Sequence, residues 1–197
     1  MTTATAAPPP GGGAGGAGRP DRWLAAGPGL QWLGCRGFHL RASGALDERA
    51  RRLSHEELAV AEMFAAEGHL VRSLPESRRG GRRPDLEVCG SPVEVKSYLR
   101  LGERAGPPTA ESVFNKLMDA AGQADAAVLY GRGSGLSPAT VRGGLARLAV
   151  EGRDRRLRVV RAVGDGFDLA WIRRPGLVRA MEGGARRPGP RRPDLGL

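Results

Sequence analysis

The sequence predicts an α/β domain in which a mixed β-sheet is flanked by helices. Two features lead there. Between about residues 46 and 175, helix-like and strand-like segments alternate. Two of the strands follow one another around a short turn, while a helix separates the next pair, so the sheet needs both antiparallel and parallel neighbours. Outside that span the chain changes character. Residues 1–45, opening MTTATAAPPPGGGAGGAG, read as a flexible Gly/Pro-rich leader. Residues 176–197 read as a basic disordered tail, in which Arg186, Arg187, Arg191 and Arg192 could hold phosphates non-specifically or could simply be solvated.

The elements follow from local signals. Ser54 is placed as an N-cap with Glu57 three residues on, the spacing of a capping box. HEELAVAEMFAAE then supplies good helix formers until Gly68 stops them, with Leu53, Val60 and Phe64 near one face. HLVRSLPE reads as a short extended run closed by Pro75, and SRRGGRRP as a basic loop. DLEVCGSPVEVKSYL reads as two strands around a Gly90-Ser91 turn. After the loop AGPPTA, ESVFNKLMDAAGQA has Val113, Leu117 and Ala121 at a spacing of four, and DAAVLYG reads as a buried strand. Ser137-Pro138 opens a third helix, ATVRGGLARLAVEG, weakened by Gly143 and Gly144. RLRVVRAV and FDLAWIRR read as final strands.

Composition narrows the function classes. The net charge of +10 favours a polyanionic partner, nucleic acid first. Cys35 and Cys89 lack the spacing of a zinc site or a disulfide framework, and His39, His55 and His69 form no ligand pattern. No run approaches the ~20 apolar residues of a membrane helix, and the N-terminus has no secretion signal. The expectation is a cytoplasmic site of action without membrane contact, with secretion by other routes left open.

The chain has two lysines, Lys96 and Lys116, against a background of arginine. Lys96 lies in RPDLEVCGSPVEVKSY. Strand alternation sends Val93 and Val95 one way and Glu94, Lys96 and Tyr98 the other. A turn at Gly90-Ser91 would set Glu87 opposite Glu94 and Asp85 opposite Lys96, gathering three carboxylates and one ammonium on one face. Such a set suits metal-assisted phosphodiester cleavage: carboxylates hold a hard cation, and a compact ammonium steadies the reacting phosphate. An amphipathic hairpin with charged outer positions would give the same pattern, and the acid-x-lysine triplet alone is weak.

PDLEVCGSPVEVK resembles the signature of the PD-(D/E)XK nuclease superfamily, with Asp85 at the motif aspartate and Glu94 and Lys96 at the (D/E)xK pair. Glu57, about three helical turns before Gly68, matches the glutamate many members carry in their first helix; a plain capping role would also account for it. EGHLVRSLPE, the Asn115-Lys116 pair and the GQAD turn at 122–125 extend the resemblance over roughly residues 48–135. They resemble one branch, the C-terminal tRNA-nuclease domain of contact-dependent growth-inhibition toxins of the CdiA type. The resemblance implies a restriction-endonuclease-like core and a Mg²⁺-dependent (or other divalent-cation) endonuclease acting on RNA, tRNA first, with an immunity protein as partner. It implies metal on Asp85 and Glu94, Lys96 assisting attack and Glu57 completing the outer shell. Lys116 and Gln123 could contact substrate. Arg82 and Arg83, in the basic loop before Asp85, could guide a phosphate backbone, although a solvated loop fits equally.

The family's domains end very large secreted proteins, whereas here a Gly/Pro-rich leader precedes the domain, so the delivered-toxin role is open. Three alternatives stand beside this reading: a DNA endonuclease of repair or restriction type, a non-catalytic basic nucleic-acid-binding protein, and a metal-free ribonuclease using His69 as general acid–base.

Overall fold

The structure, a computed structural model, describes residues 23–26, 44–76, 83–98, 106–151 and 156–173. Eight strands form one sheet: β1 (Trp23–Ala26), β2 (Ala45–Asp47), β3 (Leu70–Ser73), β4 (Leu86–Val88), β5 (Ser91–Ser97), β6 (Ala126–Tyr130), β7 (Val159–Gly164) and β8 (Phe167–Arg173). Three helices accompany them: α1 (His55–Ala66), α2 (Ala110–Ala121) and α3 (Pro138–Glu151). Across the sheet the order is β1-β8-β7-β6-β5-β4-β3-β2. The β2/β3, β5/β6 and β6/β7 neighbours are parallel, and the remaining four pairs are antiparallel. The expected mixed sheet flanked by helices is therefore present. No helix among the described residues is long and apolar enough to cross a membrane.

Strand alternation sorts the apolar side chains into two cores. Val93, Val95, Ala126 and Val128 face α1, where Val60, Ala61 and Phe64 cover them. Ala127, Leu129, Val160 and Ala162 face the other way, under Val113, Phe114 and Leu117 of α2 and Val141, Leu145 and Leu148 of α3. The sheet is thus the middle of three layers. In α2 the buried residue of the last turn is Ala120; Ala121, the expected one, is only partly covered. Gly143 and Gly144 have a packing reason. A Cβ on Gly144 would run into the Val113 side chain and come within 3.1 Å of the Phe114 backbone nitrogen, so glycine lets α3 approach α2 closely.

Helix ends follow their chemistry. Ser54 caps α1 and Glu57 returns the bond to the Ser54 backbone, the expected capping box. At the other end Gly68 takes φ 90°. Its N–H donates to the Ala65 carbonyl and that of His69 to the Phe64 carbonyl, which is a Schellman stop.

Two expectations need correction. The span 1–45, read as a leader, contributes Trp23–Ala26 as an edge strand on β8. Trp23 buries its indole in the core beneath α2 and α3, which outweighs the glycine and proline around it. The β4–β5 hairpin also turns one residue earlier than read, which shifts its pairing register by two. The pairs are Leu86↔Val93, Glu87↔Pro92 and Val88↔Ser91, leaving Cys89-Gly90 as the turn. Both turn residues have positive φ, 49° and 83°, as the mirror-image turns of two-residue hairpins require. Pro92 has no N–H to donate into a ladder, and Gly90 is the residue best able to take the second turn position. The strand faces survive, because a slip of two preserves alternation. Arg82 and the tail 176–197 lie outside the described residues.

Candidate active site

Glu94 and Lys96 point from the middle of β5 towards the α2/α3 side, opposite Val93 and Val95. Glu94 is 3% exposed. Lys96 Nζ donates to its Oε1 at 2.7 Å, and Gln123 Nε2 donates to the same oxygen at 3.0 Å. The other oxygen, Oε2, is buried and has no hydrogen-bond partner among the described residues. Such an atom is costly unless a partner arrives.

Asp85 enters from the start of β4. Pro84 lacks an N–H, and pairing of β4 with β5 begins only at Leu86. The Val95 N–H donates at 2.9 Å to Asp85 Oδ2, and the Asp85 carbonyl accepts from the Leu74 N–H at 3.0 Å. The carboxylate thus completes the sheet where the backbone ladder stops, beside Glu94.

Glu57 comes from the first turn of α1, and Arg51 fixes it. Arg51 Nη1 donates to Glu57 Oε2 at 2.7 Å and Nη2 to Oε1 at 2.9 Å, a bidentate pair. Nη2 also reaches Asp85 Oδ1 at 3.2 Å, while Nε donates to the Leu74 carbonyl at 3.0 Å. The four residues singled out in the sequence, Glu57, Asp85, Glu94 and Lys96, therefore lie together. Arg51 was not foreseen. It is one arginine among many, and only folding reveals that it bridges two of the acids.

The charges act on one another. Burial pushes the Asp85 carboxyl up to about 7, and the nearby Glu94 and Glu57 carboxylates add to the rise. Burial also raises Glu94, against the pull of Lys96. In Glu57, burial works upward, but the Arg51 and Ser54 hydrogen bonds prevail and carry it down to about 2. Arg51 is held charged chiefly by its hydrogen bond to Glu57.

The remaining candidates divide. Lys116 stands with its ammonium 4.9 Å from the centre of the Tyr98 ring. Burial lowers its pKa, and Lys96 lowers it further, so the chain's two lysines are electrostatic neighbours. Gln123, expected among the substrate contacts, is 8% exposed and spends its amide on Glu94 and on the Asp119 carbonyl at 3.3 Å. Arg83 is exposed beside Pro84. Glu87 does not join the acids: it lies opposite Arg72 of β3, with a 3.8 Å ion pair. His69 is buried at the far end of β3, 5.9 Å edge-on to Phe64, and burial lowers its pKa.

Among the described residues, no three or more His, Cys, Asp or Glu side chains form a ready metal cage. Asp85 and Glu94 offer a sparser set. Two carboxylates, one with a buried oxygen lacking a partner, suit a hard dication whose other positions are filled by water and phosphate oxygens. The fold and site thus define an α/β protein with a buried carboxylate–lysine centre. Comparisons with protein-family models, curated proteins and solved structures found no match.

Proposed function

We propose that the protein is a divalent-metal-dependent endonuclease that cleaves RNA, with tRNA as the first candidate. The observation that carries this reading is Glu94: a buried carboxylate held by Lys96 and Gln123 through one oxygen, with the other oxygen buried and without a hydrogen-bond partner among the described residues. A cation shared with Asp85 would give that second oxygen the partner it lacks among the described residues. The PD-(D/E)XK resemblance supports the same residues, and the mixed three-layer fold is compatible with it. The preference for RNA over DNA rests on the resemblance of residues 48–135 to CdiA-type toxin domains, as does an immunity protein as partner.

In this reading Asp85 and Glu94 hold a Mg²⁺ ion. Bound there, such an ion would supply activation of a water and neutralisation of the charge that builds on the phosphate. Lys96, steered by Glu94, presents its ammonium to the scissile phosphate, and Lys116 adds a second positive charge next to it. Gln123 keeps Glu94 in orientation. Exposed Arg83 stands where the nucleic-acid backbone would approach Asp85.

Purified protein incubated with tRNA and, separately, with duplex DNA tests this. The expected result is Mg²⁺-dependent tRNA cleavage, lost in Glu94→Ala and Lys96→Ala while tRNA binding is retained. Unchanged cleavage in both variants would overturn the nuclease assignment. Cleavage that survives a chelator would overturn the metal, and cleavage of duplex DNA alone would overturn the substrate.

A further inference from the structure

The acceptor positions in the carboxylate cluster can be counted. Each carboxylate oxygen has room for about two donors. Glu57 Oε2 takes Arg51 Nη1 at 2.7 Å and the Ser54 N–H at 2.8 Å, and Glu57 Oε1 takes Arg51 Nη2. Glu94 Oε1 takes Lys96 and Gln123. Asp85 has one donor on each oxygen, and Glu94 Oε2 has none among the described residues. The open positions lie on Asp85 and Glu94, and Glu57 is nearly filled.

Arg51 is equally committed. Its Nε, Nη1 and Nη2 all have acceptors within 3.0 Å, and its side chain and that of Glu57 are each 16% exposed. A dication bound to Glu57 would have to displace a guanidinium from its partners in a largely desolvated place. It would also sit close to that guanidinium's charge, where repulsion is weakly screened.

We propose that Arg51 is a resident cation occupying the Glu57 side of the cluster. The centre then binds a single divalent ion, on Asp85 and Glu94, and Glu57 is not among its ligands. Glu57 is a positioning residue: it holds Arg51, and Arg51 holds one oxygen of Asp85. This inference rests on the metal-dependent reading above and adds its stoichiometry and the exclusion of Glu57 by Arg51.

Titration of the full chain with Mn²⁺, followed by the electron paramagnetic resonance of free Mn²⁺, tests it without any cleavage assay. The wild type should bind one ion, and Asp85→Asn should lose it. Glu57→Gln keeps an acceptor for Arg51, so it should still bind one ion, with affinity within about threefold of wild type. Arg51→Gln frees Glu57 and removes a nearby positive charge, so it should bind Mn²⁺ more tightly or take a second ion. If that variant does not fold, Glu57→Gln decides the matter. A loss of about tenfold or more in Glu57→Gln, or two ions on the wild type, overturns this inference and leaves metal dependence standing. No ion on the wild type overturns both.

Discussion

Lys96 and Glu94, two residues apart on β5, close a 2.7 Å ion pair in which the carboxylate side chain is 4% and the lysine side chain 19% exposed. Removing one partner leaves the other charge nearly dry. Lys96→Ala should therefore destabilise the fold by roughly 1–3 kcal/mol, the usual cost of an unsatisfied buried group. The double variant Glu94→Gln with Lys96→Met should recover part of that stability, because a buried pair can be replaced by neutral groups. Cleavage should stay absent in the double variant. Urea unfolding alongside a tRNA cleavage assay separates the two effects.

The pH dependence of stability has opposite signs at two carboxyls. Asp85 is raised to about 7, so between its ordinary value of 3.8 and about 7 the folded state keeps a proton that the unfolded state releases. Its contribution to stability therefore falls as pH rises through that window. Glu57 is lowered to about 2 from 4.5, so its contribution is full above 4.5 and is lost as pH falls towards 2. The metal-free protein should be most stable near the mildly acid boundary between these windows. Added Mg²⁺ should raise the melting temperature more at pH 8 than at pH 5, because it binds ionised carboxylates. Thermal melts with and without the ion check both signs.

Gln123→Leu removes a donor from Glu94 Oε1 and from the Asp119 carbonyl. A loss of about 1 kcal/mol in stability is expected, the size of one or two hydrogen bonds. Cleavage should fall through kcat, with KM for tRNA little changed, because the residue is buried behind the site. A rise in KM alone would show that Gln123 meets the substrate.

Lys116→Met should act in the opposite way. Its ammonium lies by Tyr98 and next to Lys96, and in the proposed reading it would meet a substrate phosphate. The variant should weaken tRNA binding across sequences, and the slope of log affinity against log salt should shrink by about one. Filter binding at several salt concentrations reads this directly.

Gly144→Ala should destabilise the protein although alanine is the better helix former. The added Cβ meets Val113 and the α2 backbone, so the cost is overpacking of roughly 1–3 kcal/mol. Chemical denaturation should report it; a stabilised variant would contradict the close approach of α3 to α2.

Much of the fold can be read from the chain because its signals are local. The Ser54–Glu57 capping box, the stop at Gly68 and the apolar spacing of α2 each act within a few residues. The site face of β5 could be read for the same reason, since alternation alone sets it. What could not be read is non-local. Three-residue β2 and four-residue β1 carry too little pattern to stand out, and only pairing with β3 and β8 defines them. Choosing Cys89-Gly90 over Gly90-Ser91 required the ladder, since both contain a turn-forming glycine. Glu87 and Gln123 looked like site residues because of their types and spacing. One found Arg72 across a strand pair, and the other was carried into the interior by the end of α2. Arg51 gave no sign at all in a chain crowded with arginine.

Strand β1 has a further consequence. It runs antiparallel to β8 from Trp23↔Arg173 to Ala26↔Ala170 and covers four of the seven residues of β8, forming the short edge of the sheet on that side. A chain cut to begin at Gly44 would keep every residue of the carboxylate centre and lose this cover. The outer N–H and C=O groups of β8 would then be free to pair with the same groups of another molecule. The first penalty of trimming would be self-association rather than loss of the carboxylate centre. The segment that reads most like dispensable packaging replaces a seven-residue edge with a four-residue one.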